Sequence, residues 1–159
     1  MKEVELSSEN VEPPQWMPDL AAVAERVYHE IDRQAWEVAV LLCDETRIQE
    51  LNETYRKASG PTDVLTFSHH EEEPRTSIGS ETTPISGDIA ISLPIVEANA
   101  LAFDVAPTEE FLRVYVHALL HLAGYTHEGV DLTSAQAHDH PMLGLQERLV
   151  AALIKEHHA

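Results

Sequence analysis

Residues 38–43 (VAVLLC) form an unbroken apolar run with no polar residue between them. A run this short without helical spacing suits a strand buried on both faces, the pattern of parallel strands flanked by helices. The rest of the chain must therefore supply strands to pair with this one and amphipathic helices to cover it. Residues 2–6 (KEVEL) alternate polar and apolar and read as a short strand, residues 64–67 as a third, and residues 85–93 (ISGDIAISL) as a fourth. Gly87 inside the fourth marks a bulge or a close backbone approach.

The helices are punctuated by capping residues. Asp19 caps a helix over residues 19–34, with Leu20, Val23, Ala24, Val27 and Ile31 at helical spacing. Asp44 caps a second, running to about Lys57 with Ile48, Leu51 and Tyr55 on one side and Ser59-Gly60-Pro61 ending it. A third covers residues 94–103. A fourth begins at Pro107-Thr108, with Thr108 at the capping position and Glu109 and Glu110 against the positive helix end, and runs to Leu122 or Ala123. The last spans residues 141–155 and has Leu143, Leu145, Leu149, Val150 and Leu153 to bury. This order predicts an α+β or mixed α/β fold. Right-handed crossovers make the first three strands parallel, and a short reversal leaves the fourth antiparallel. Residues 69–84 (HHEEEPRTSIGSETTP) are polar and acidic, and read as a mobile excursion between two strands.

With 159 residues, the chain reads as one domain over 1–159. No stretch is long and apolar enough to span a membrane, no apolar signal segment opens the chain, and Cys43 alone cannot form an internal disulfide, so a cytoplasmic protein is expected. The net charge of -18 repels polyanions and excludes a nonspecific nucleic-acid binder that neutralises phosphates with basic residues. Any nucleic-acid chemistry here needs a local source of positive charge, and a metal ion supplies one.

The ten histidines matter through their spacing. In residues 117–127 (HALLHLAGYTH), His117 and His121 stand four apart, so a helix carries both imidazoles on one face. Gly124 follows where helices often end in a left-handed turn, and the chain can then return His127 as a third ligand. Three neutral imidazoles leave one tetrahedral position open, the arrangement of a catalytic zinc site. The same donors also suit nickel, copper or cobalt. The spacing matches the long zinc-peptidase signature H-E-x-x-H-x-x-G-x-x-H except that Ala118 replaces the general-base glutamate. A methyl group takes no proton, so a peptidase is the second reading. His69, His70, His138 and His140 read as solvated loop histidines, and His157 and His158 as a frayed tail. Trp16 and Trp36 read as packing residues.

Three blocks together resemble the YbeY-type bacterial endoribonucleases of ribosomal RNA maturation. The family's H-G-x-L-H-L-x-G-Y-D-H stands here as residues 117–127. Its N-x-x-Y-R and T-D-V-L-S-F appear as Asn52, Tyr55 and Arg56 and as residues 62–67, and its G-D-I as Gly87, Asp88 and Ile89. The chain departs from the pattern at Ala118, Thr66 and Thr126, the last replacing an aspartate that would orient the third histidine. The resemblance implies one domain with a four-stranded mixed sheet, one strand antiparallel, about five helices and a zincin-like core. It implies a zinc-dependent, single-strand-specific endoribonuclease that matures the 3′ end of small-subunit ribosomal RNA and serves ribosome quality control. Proteins of the small subunit and a maturation GTPase are the implied partners.

His117, His121 and His127 would then hold one Zn²⁺ per chain. Taken alone, Arg56 reads as a surface arginine in a helical ion pair near Glu53. The resemblance makes it the guanidinium that clamps the phosphate as charge builds on its oxygens. Asp63, Asp88 and Asn52 read as structural, the carboxylates holding turns beside their strands. A third reading keeps the metal as a staple in a non-catalytic ribosome-assembly factor.

Overall fold

The computed structural model describes residues 2–55, 62–69, 84–124 and 141–157. Its elements run β1 (Lys2–Ser8), α1 (Leu20–Glu30), β2 (Trp36–Cys43), α2 (Glu45–Tyr55), β3 (Val64–Ser68), β4 (Ile85–Ser92), α3 (Leu93–Phe103), α4 (Pro107–Leu122) and α5 (Pro141–His157). The result is an α+β fold with a four-stranded mixed sheet and five helices among the described residues. The Asp19 carboxylate accepts from the N–H groups of Ala21 and Ala22 at 3.1 and 3.2 Å, and Asp44 accepts from Arg47 N–H at 2.8 Å, so both caps form as read. Helix α1 stops short of residue 34 because Asp32 turns left-handed at φ 58° and the Arg33 N–H reaches back to the Tyr28 carbonyl. Helix α4 is not capped by Thr108. Pro107 takes its first position after Ala106, where a missing N–H costs nothing, and the Thr108 hydroxyl donates to the Trp16 carbonyl instead.

The strands lie in the order β1-β2-β4-β3, with β1, β2 and β4 mutually parallel and β3 antiparallel to β4. The antiparallel strand is therefore β3 and not the fourth strand. Helix α2 does not carry the chain back along the sheet. Asp63, which precedes β3, accepts from Ser92 N–H at the end of β4, so β3 enters from the end where β2 left. It then runs down the edge, and β4 inserts between it and β2.

One face of the sheet presents Trp36, Val38, Val40, Leu42, Ile85, Ile89 and Ile91 to the main core, under α1, α4 and α5. The other face is covered more sparsely. Helix α2 packs Ile48 and Leu51 on Cys43, Leu65 and Ala90, which leaves Ala39 and Leu41 half-buried. The run at residues 38–43 is thus sealed on one face and only partly on the other, because an 11-residue helix reaches one end of it. Burial pushes the Cys43 thiol up to about 11, which keeps it protonated and unreactive at neutral pH.

Two buried tyrosines lock α1 to α4 in both directions. Tyr28 on α1 donates to the Leu119 carbonyl and Tyr115 on α4 donates to the Leu20 carbonyl, each at 2.9 Å. Each bond contributes about 1 kcal/mol net, and loss of either hydroxyl strands a buried carbonyl interaction. Gly87 supplies the close approach expected of it. A Cβ there would lie 2.6 Å from Leu122 Cδ2 and 2.8 Å from the Phe67 carbonyl oxygen. Gly87→Ala is expected to destabilise the fold by about 1–3 kcal/mol, read as a melting temperature lower by roughly 3–10 °C. An unchanged melting temperature would show that β3 and α4 yield freely at this point.

Candidate functional site

Helix α4 divides along its length into a buried face and a polar stripe. Phe111, Leu112, Tyr115, Val116, Ala118 and Leu119 are buried in the main core. Glu109, Arg113, His117 and His121 follow one another at four-residue steps and share the other side. The His117 and His121 rings are 6.5 Å apart between centres and inclined by only 24°. The two imidazoles thus stand side by side one turn apart, as the spacing requires.

The end of α4 is held from several directions. Ala123 N–H returns to the Leu119 and Leu120 carbonyls, and Gly124 N–H returns to the His121 carbonyl at 3.0 Å. Gly124 has φ 101°, a conformation that glycine adopts without strain, so the expected helix stop is present. The buried Arg33 guanidinium donates to the Ala123 carbonyl, placing a cation at the negative end of the helix. With Tyr28 on the Leu119 carbonyl, these contacts fix the turn that carries His121.

Beside His117 lies a cleft of about 360 Å³ lined by Asp63, Glu110, Arg113 and Gln146, among others. Asp63 sits just before β3, and burial raises its carboxyl above the usual range. Its own N–H, that of Val64 and the Thr62 hydroxyl oppose this by hydrogen bonding to the carboxylate, and so does the charge of His117. The turn-holding role read from the sequence is present, but the same carboxylate also faces a histidine of the site. Burial likewise raises Glu110, against the pull of Arg113. Arg113 meets Glu147 at 3.0 Å, and Glu109 and Glu110 at 3.4 Å each. The cleft is therefore acidic, and its arginine is already matched by carboxylates.

Gln146 on α5, also buried, completes the wall. Its Oε1 lies 2.8 Å from His117 Nδ1, and its Nε2 donates to Glu147 Oε2 at 3.1 Å. The sequence reading missed Gln146, Glu110 and Arg113. The helical step from His117 back to Arg113 and Glu109 was available in the sequence. Nothing local points from Gln146 to a histidine 29 residues earlier.

A zinc ion suits these donors: imidazole is a preferred ligand, and an acceptor facing Nδ1, as Gln146 Oε1 does, is the usual outer partner of an imidazole that binds through Nε2. His127 and Arg56 lie outside the described residues, as do His70, His138, His140 and His158. Among the described residues no three metal-ligating side chains converge, so two of the three expected ligands are placed and no zincin-like metal cluster is formed by them alone. Ala118 is fully buried in the main core, so the position of the peptidase base holds a methyl group among apolar neighbours.

The remaining readings fall outside this cleft. His69 is exposed, with Nδ1 2.6 Å from Ser86 Oγ and Nε2 3.1 Å from Asp88 Oδ2. Among the described residues, Asp88 thus pairs across the strands with His69 rather than with a turn. Trp36 is buried against Tyr28, and Trp16 packs edge-on against Phe111. Asn52 is buried on α2. No helix among the described residues is long and apolar enough to cross a membrane.

Comparison with known proteins gives the family of the chain. The chain is 38% identical over 154 residues to the endoribonuclease YbeY of Treponema pallidum, covering 95% of this chain and 89% of that one. It is 40% identical over 117 residues to the protein of that name from Borrelia recurrentis, covering 72% and 71% of the two chains. A solution structure from Thermotoga maritima superposes with a TM-score of 0.61 at 29% identity, covering 97% of this chain and 91% of that one. The sequence model of the family described as Endoribonuclease YbeY matches residues 3–153. With that match spanning nearly all of its length, the chain belongs to the YbeY endoribonuclease family.

Proposed function

We propose that this protein is a zinc-dependent, single-strand-specific endoribonuclease that matures the 3′ end of small-subunit ribosomal RNA and takes part in ribosome quality control. The observation that carries the reading is the pair of parallel imidazoles on one face of α4, in a chain of this family. His117, His121 and His127 are the proposed zinc ligands, and 1–159 is proposed to act as one domain. Zinc held there supplies a Lewis acid and lowers the pKa of water near the phosphate.

The protein's own groups do the rest. Arg56 clamps the phosphoryl oxygens as negative charge grows on them. The acidic wall of Asp63 and Glu110 disfavours a phosphate, so a substrate here needs positive charge beyond the cleft's own Arg113. With Ala118 buried, the proton acceptor comes from another position. Small-subunit ribosomal proteins and a maturation GTPase are the proposed partners, in the cytoplasm.

The competing readings are a zinc peptidase with a displaced base and a non-catalytic assembly factor stapled by zinc. Incubation of the purified chain with a structured ribosomal RNA fragment, with and without a chelator, and with casein as a second substrate, separates all three. RNA cleavage that stops with the chelator and returns with zinc is the expected result. Casein cleavage would favour the peptidase. Zinc binding without cleavage of either polymer would leave the assembly factor.

A further inference from the structure

We infer that Gln146 is the positioning residue that fixes which nitrogen of His117 faces the metal. The inference rests on the proposed role of His117 as a ligand and extends it to a side chain from the last helix. A neutral imidazole carries its proton on one nitrogen and a lone pair on the other, and only the lone pair binds a cation. Gln146 offers His117 Nδ1 its carbonyl oxygen at 2.8 Å. That oxygen accepts the Nδ1 proton and so directs the lone pair to Nε2.

The amide has two possible orientations, and the neighbouring charges select one. Gln146 Nε2 donates to Glu147 Oε2 at 3.1 Å. Arg113 in turn holds the Glu147 carboxylate through Nε, at 3.2 and 3.0 Å to its two oxygens, and through Nη2 at 3.1 Å. Rotating the amide would aim its oxygen at that carboxylate and its NH₂ at His117, which would demand the lone pair on Nδ1 and move the proton to Nε2. Two acceptors facing each other in a half-buried site are costly. The Arg113–Glu147 pair therefore sets the amide, and the amide sets the ligand. Because Gln146 is itself buried on α5, the docking of α5 against α4 prepares one corner of the metal site.

The test compares wild type with Gln146→Leu and Gln146→Glu, using zinc alone as the ligand and a competing chelator to read affinity. Gln146→Leu is expected to lower zinc affinity about 10–100-fold, the usual effect of losing an outer partner. Gln146→Glu still presents an acceptor to Nδ1 but sets a second carboxylate against Glu147, so its affinity should stay clearly above that of Gln146→Leu without matching wild type. A long-range nitrogen–proton correlation spectrum of the metal-free wild type should show His117 protonated on Nδ1. Zinc affinity unchanged in Gln146→Leu, an equal loss in Gln146→Glu, or an Nε2-protonated His117 in the metal-free protein would each overturn the assignment. If Gln146→Leu does not fold, the spectrum and Gln146→Glu decide the matter. Failure of wild type to bind zinc would instead refute the metal centre, and the spectrum would still report on Gln146.

Discussion

Replacing His121 with alanine is expected to strip the protein of zinc and to lower RNA cleavage by more than the ~100-fold that loss of an outer-shell partner costs. The ring of His121 stands beside that of His117 at the last turn of α4, where Gly124 and Arg33 hold the helix end. Under the proposed assignment, deleting it would remove a donor from the cation, whereas the polar stripe it occupies adds little to the core. The metal-free variant should therefore melt close to metal-free wild type, within a few degrees, while metal analysis reads far less than one zinc per chain. His117→Ala and His127→Ala should behave alike. His69→Ala is the control, since His69 is exposed and pairs with Ser86 and Asp88 away from the cleft. Full zinc content in His121→Ala, or zinc lost equally from His69→Ala, would refute the ligand assignment.

Arg56→Ala is expected to leave zinc bound and to reduce cleavage by about 10²–10³-fold, the usual cost of removing one donor to a developing oxyanion. The chain carries a net charge of -18, and Arg113 in the described cleft is already engaged by Glu109, Glu110 and Glu147. With Arg113 so engaged, the proposed function assigns the phosphate to the cation and to Arg56. Arg56→Lys should recover activity only in part, since an ammonium cannot clamp two oxygens in a plane. Single-turnover cleavage measured beside metal content checks both variants. Cleavage by Arg56→Ala at the wild-type rate would remove this residue from the chemistry.

Element types were legible wherever one local rule dominated. Asp19 and Asp44 are short carboxylates placed just before amphipathic runs, and both cap. Gly124 ends α4 because a left-handed turn suits glycine, and Gly87 permits a close approach because any Cβ would meet Leu122 and a backbone oxygen. The strand directions were not legible in the same way. Whether β3 runs up or down the sheet depends on where α2 leaves the chain, and no residue within β3 encodes that. Thr108 shows a smaller version of the same competition. Its hydroxyl has two acceptable uses, a helix cap or the Trp16 carbonyl, and the position of residue 16 in space decides between them.

The candidate site divides along the same line. The amino-acid order alone determined that His117 and His121 share a helix face, because four residues are close to one turn and that geometry is local. Only the tertiary structure brought α5 against α4, and with it Gln146 to His117 and Glu147 to Arg113. These contacts join residues about thirty positions apart, so they exist only after the helices pack. Periodicity along the chain reports a residue's neighbours within its own helix, and the second layer of this site comes from another helix altogether.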